Sequence, residues 1–191
     1  DPRPNLPSIV RMVEKGFELS EASNTPVMLE LRIRACHVTG SFETKDNIVP
    51  KYSRRNPITK PVFNLERIPL PPHNYTQEKL KIDVRLPEAL KFIQREQLNE
   101  FFAGDLRQVG IVLQGGLYNT TIRALQQLGL ADAYGESRIP LCVLNVTYPL
   151  VPEEVTRFCS GKRAVLVVEE GQPAHLEEAI NSILRRADIN D

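Results

Sequence analysis

Three short apolar runs, each followed by a helical pattern, constrain this chain more than any other feature. Residues 109–113 (VGIVL), 141–146 (LCVLNV) and 164–168 (AVLVV) are rich in β-branched side chains and do not alternate apolar with polar. A half-exposed strand reads apolar and polar by turns; an unbroken apolar run of this length reads as a strand covered on both faces. Between and after them, Ile122, Leu125 and Leu128 recur at helical spacing before Gly129, Pro152, Val155 and Phe158 before Gly161, and Pro173, Leu176, Ile180, Ile183 and Leu184 run towards the end. Proline at the start and glycine just past the end is the asymmetry of helices. The β-α-β-α-β-α order predicts right-handed crossovers and a three-layer α/β module built on a parallel sheet. A preceding helix should open at Pro87, bury Leu90, Ile93, Leu98, Phe101 and Phe102, and end near Gly104.

Upstream, Pro7 and the spacing of Ile9, Val13 and Phe17 predict a helix near 7–23, stopped at Asn24-Thr25-Pro26. From Val27 the period falls to two, so that Val27, Leu29, Leu31, Ile33 and Ala35 face one way and Glu30, Arg32 and Arg34 the other. That pattern predicts a strand over 27–38 with its charged face in water, docked against 109–186 or paired with its copy. Residues 40–86 lose all periodicity. Pro50, Pro57, Pro61, Pro69, Pro71 and Pro72 remove backbone donors while Lys51, Arg54, Arg55 and Lys60 keep the stretch wet, which predicts an extended connector between domains. The chain opens at Asp1 and not Met, as expected of a piece of something longer.

Charge and cysteine content narrow the functional classes. Lysine and arginine number 24 against 24 acids in 191 residues, and a balanced charge argues against a general nucleic-acid binder. No apolar stretch reaches membrane-spanning length, so no membrane partner is expected. Cys36, Cys142 and Cys159 are odd in number and lie in apolar runs, which suits reduced core thiols and a cytoplasmic setting. Asn74, Asn119 and Asn145 match a glycosylation triplet and read as chance. With no CxxC, HExxH or cysteine cluster, the chain offers no ligand set for zinc or an iron–sulfur centre.

In open parallel sheets, ligands sit beyond the carboxyl ends of the strands. Three clusters fall there. Gln114-Gly115-Gly116-Leu117-Tyr118-Asn119 is a glycine turn whose free N–H groups could hold an anion, although it lacks both the dinucleotide and the P-loop spacing. Asn145-Val146-Thr147-Tyr148-Pro149-Leu150 reads as a helix-entry loop. Glu169 and Glu170 are adjacent and diverge, so they suit a helix cap or an interface better than an acid/base pair. Cys36 and His37 diverge in the same way, and His73 and His175 stand alone. The anion or interface candidates are therefore Gly115, Gly116, Tyr118, Glu169, Glu170, Arg34 and His37, with no catalytic, cofactor-binding or metal residue assigned.

Several segments together resemble a known family. Residues 12–21 (MVEKGFELSE) with Thr25-Pro26-Val27-Met28-Leu29, and then Arg34 and His37, resemble the end of the pyrimidine-binding domain of 2-oxoacid:ferredoxin oxidoreductases. Val109-Gly110-Ile111-Val112, Gly115-Gly116-Leu117-Tyr118, Leu128-Gly129-Leu130, 148–152 (YPLVP) and 166–171 (LVVEEG) are similar to the transketolase C-terminal type of domain that follows it. Within that family the likeness is to the thiamine-diphosphate-dependent subunit, or fused form, of indolepyruvate ferredoxin oxidoreductases. The resemblance implies a helix–strand remnant of an upstream α/β domain at 1–45, a connector at 46–86 and a transketolase C-terminal-like domain at 87–191. For the parent enzyme it implies decarboxylation of an aryl 2-oxoacid on thiamine diphosphate with magnesium, [4Fe-4S] clusters, ferredoxin as electron acceptor and coenzyme A as acyl acceptor. This chain itself has no diphosphate-and-magnesium motif, no cluster cysteines and not the acid that activates the cofactor ring, and 31–33 (LRI) departs from the threonine-rich version of that strand. The implied role is a non-catalytic module docking on the remaining domains or subunits, with a homo-oligomer as a further expected assembly. The alternative is a stand-alone module binding a nucleotide or anion at Gly115-Gly116.

Overall fold

In the computed structural model, which describes residues 1–47, 64–68 and 70–187, the three apolar runs become three parallel strands. They are β2 (Val109–Gln114), β3 (Leu141–Leu144) and β4 (Ala164–Val168). Strand β2 lies between the other two and is parallel to both. A fourth strand, β1 (Glu100–Phe102), pairs antiparallel with β3, so the sheet order is β1-β3-β2-β4. The predicted helix through Phe101 and Phe102 is corrected here. Gln97 takes a left-handed φ of 49°, which turns the chain out of the helix, and Leu98 goes into the core before β1 begins.

Helices cover both faces of the sheet, as the alternation implies. Helix α5 (Tyr118–Gln127) seals Ile122 and Leu125 against Ile111, Leu113, Leu141 and Val143. On the opposite face, α6 (Pro152–Cys159) and α7 (His175–Arg186) bring Val155, Phe158, Leu176 and Ile180 onto Val112, Cys142 and Leu144. Gly129 and Gly161, at φ of 69° and 70°, each lie two residues past the end of α5 and α6 in the left-handed conformation glycine adopts without penalty. Strand β4 departs from the expectation of full cover: it is the sheet edge, and Leu166 is 60% exposed.

Helix α1 (Leu6–Ser23) forms where predicted. Asn5 caps it by accepting from the Ser8 N–H at 2.8 Å, and Asn24 ends it at a left-handed φ of 50°. Its packed face is not the one the Ile9, Val13 and Phe17 spacing indicated, since Val13 and Phe17 are exposed. Met12 and Leu19 are buried against Ala89, Phe92 and Ile93 of α4 (Leu86–Arg95), a contact worth about 1.5–3 kcal/mol per large side chain.

The strand expected over 27–38 does not form. Residues 26–32 are irregular, and Ile33–Cys36 make the single helical turn α2. Period-two alternation without a neighbouring strand to bond has nothing to fix it as β. Of its apolar set, Leu29 packs onto the α1–α4 core and Ala35 is buried, while Val27, Leu31 and Ile33 stay exposed. Cys36 is exposed rather than a core thiol; Cys142 and Cys159 are buried.

The end of the expected connector is helical. Helix α3 (His73–Leu80) runs through one wide π-type turn, Lys81–Arg85, directly into α4. Residues 48–63 and 69 of that stretch lie outside the described residues. Among the described residues no helix is long and apolar enough to cross a membrane.

Candidate functional site

The connection from β2 to β3 carries α5 on one face, and the connection from β3 to β4 crosses back over β2 with α6 on the other. The loops leaving β2 and β3 therefore part company, which opens a crevice at the carboxyl ends of these two strands, the place where α/β folds bind ligands. Here the crevice is filled by residues 1–3 of the chain itself.

Asn145, at the exit of β3 and 4% exposed, is the anchor. Its side-chain carbonyl accepts from the Arg3 N–H at 2.8 Å, and its backbone carbonyl accepts from the Asp1 nitrogen at 3.1 Å. Its amide donates to the Leu98 carbonyl at 2.8 Å and to Glu100 at 3.0 Å. An asparagine at the end of a buried apolar strand costs stability unless every polar atom is paired, and here each one is. The Arg3 guanidinium forks onto Glu100 at 3.0 and 2.8 Å and lies over the rings of Phe102 and Tyr118, 5.6 and 5.0 Å from their centroids. Burial of Tyr118 pushes its phenol up.

The predicted glycine turn is present, with Gly115 and Gly116 in a short 3₁₀ turn between β2 and α5. Its open side faces the chain rather than a free anion. A methyl group on Gly115 would run into the Asp1 carbonyl and the Asn145 side chain, and one on Gly116 into Arg32 and the Asp1 carboxylate. The backbone of residues 1–3 requires glycine at 115, and at 116 a side chain would push the Arg32 and Asp1 side chains out of place. The anion in the crevice is Asp1, whose side chain is 2% exposed beside that of Arg32 at 17%.

Arg32 ties three parts together. Its Nε and Nη2 hold the Asp1 carboxylate at 2.7–3.2 Å, Nη2 donates to the Gln114 side chain at 2.8 Å, and Nη1 pairs with Glu170. Gln114 in turn accepts from the Glu170 N–H at 2.9 Å. The expected water-facing strip is thereby corrected: Glu30 and Arg34 are exposed, but Arg32 turns inward. The glycine turn with Tyr118, and Glu170, thus converge on one cluster through Asp1, Arg3 and Arg32. Glu169 serves α7, accepting from the Leu176 N–H at 2.9 and 3.0 Å and from Glu177. Arg34 and His37 sit exposed at α2, outside the cluster.

Behind the crevice a second buried pair fixes the β3 exit. Asn99 accepts from the Val146 N–H at 3.0 Å and donates to Glu154 at 2.9 Å. Glu154 is 5% exposed, and burial pushes its carboxyl up. Neither residue, nor Asp1 or Arg3, carries a sequence signature of its role. Asn145 did: a polar residue inside an apolar run must be satisfied internally.

Fold and crevice together define a three-layer α/β module whose ligand position is closed by its own chain. In comparison with known proteins, the chain is 29% identical over 177 residues, 90% of its length, to the indolepyruvate oxidoreductase subunit IorA of Methanothermobacter thermautotrophicus. It is 29% identical over 170 residues to that of Methanothermobacter marburgensis and 28% over 161 residues to that of Archaeoglobus fulgidus. The chain is thus similar to these IorA subunits, in line with the resemblance of its motifs to 2-oxoacid:ferredoxin oxidoreductases. It spans about a quarter of their length, 26% and 25% for the two Methanothermobacter proteins. No family model matches it, and no solved structure does.

Proposed function

We propose that the chain is a structural and interface module of a thiamine-diphosphate-dependent indolepyruvate ferredoxin oxidoreductase and performs no chemical step itself. In this reading the parent converts an aryl 2-oxoacid to an acyl-CoA, passes electrons to ferredoxin in the cytoplasm, and holds thiamine diphosphate, magnesium and [4Fe-4S] clusters on its other parts. The single observation that carries the proposal is the filled crevice. Residues 1–3 pack at the carboxyl ends of β2 and β3, and the Asp1 carboxylate lies against the glycine turn, where such a sheet would take an anion. These residues do not fit the cofactor: a buried carboxylate against the glycine turn repels an incoming phosphate, and among the described residues no group of three metal-ligating side chains comes together. No step through thiamine diphosphate is therefore assigned to this chain.

What the cluster does chemically is join. Arg32, Asp1, Arg3 and Glu170 link the N-terminal unit to β2, β3 and the exit of β4, so the module presents its outer surfaces as one body. The test is calorimetric titration of the chain with thiamine diphosphate and magnesium, and separately with inorganic diphosphate. No binding is expected in either. Saturable micromolar binding, about −8 kcal/mol, overturns the proposal if thiamine diphosphate alone is bound, and supports the stand-alone anion-binding alternative if diphosphate is bound equally well.

A further inference from the structure

We draw no further inference here: the strongest candidate, the apolar cavity between α1, residues 25–30 and the exit of β3, lined by Met12, Leu19, Leu29, Leu98 and Val146, carries nothing because nothing in the structure shows what covers it.

Discussion

Replacing Arg32 by alanine removes the guanidinium that pairs with a carboxylate 2% exposed. The loss is larger than that of a surface ion pair because Asp1 remains in the crevice, closed in by Gly115, Gly116 and Asn145, with its charge unmatched. Breaking a buried pair by deleting one partner costs about 3–5 kcal/mol. Arg32 keeps 17% of its side chain in water, and its other ion-pair partner, Glu170, is mostly exposed and adds little. The lower end of the range, about 3 kcal/mol, is therefore the expected loss. With a urea slope of about 2 kcal/mol/M for a chain of this size, the unfolding midpoint should fall by roughly 1.5 M. Hydrogen exchange at the Arg3 amide, which bonds to Asn145, should accelerate in step as residues 1–3 leave the crevice. The decisive arm is Asp1→Asn in the Arg32→Ala background: if the cost is an orphaned charge, neutralising that charge restores most of the lost midpoint. A midpoint shift below about 0.3 M, or strictly additive single and double variants, refutes the reasoning.

Three further outcomes follow from the same packing. Leu19→Ala removes a buried side chain from the α1–α4 contact and should cost about 2–5 kcal/mol in urea unfolding, with Phe17→Ala, on the exposed side of α1, near zero. Burial raises the Glu154 carboxyl above its unfolded value, so the folded state holds that proton more tightly and the group lowers stability as pH rises through the ordinary carboxylate range. Glu154→Gln, which keeps an acceptor for Asn99, should flatten that decline and be the more stable form at neutral pH, read from melting curves at a series of pH values. Burial pushes the thiols of Cys142 and Cys159 up while Cys36 is exposed. A thiol reagent should therefore titrate one cysteine in the native chain and three in denaturant.

The parallel sheet and its helices were legible because each run of β-branched residues ends where a proline or glycine punctuates the next element. Strand β1 was not. Glu100-Phe101-Phe102 is too short to show a period, and what makes it a strand is the edge of β3 on offer nearby. The opposite error arose at 27–38, where alternation is real but no neighbour supplies the ladder. Apolar spacing in α1 pointed to Phe17 because a stripe in sequence does not say which side the core will take; α4 decided for Met12 and Leu19. At the strand ends the glycine turn was visible, and its occupant was not. Asp1 and Arg3 lie more than a hundred residues from Asn145, and only the folded topology brings them to it. Arg32 could be seen as charged; that it turns inward depends on that same closure.

The closeness of the backbone at Gly115 and Gly116 gives a way to read other chains of this kind. A side chain at 115 cannot coexist with the backbone of residues 1–3 in the crevice, and one at 116 displaces the Arg32 and Asp1 side chains from each other. A chain with alanine or serine at 115 must route the residues equivalent to 1–3 elsewhere, and the arginine at the place of Arg32 then loses its buried carboxylate partner. The identity of the residue at 115 is thus a marker, visible in a bare sequence, of whether the strand-end crevice is sealed or open. In the open state the turn before α5 faces an empty crevice, the kind of place that attracts anions, so one methyl group on one residue separates a fastening from a binding site.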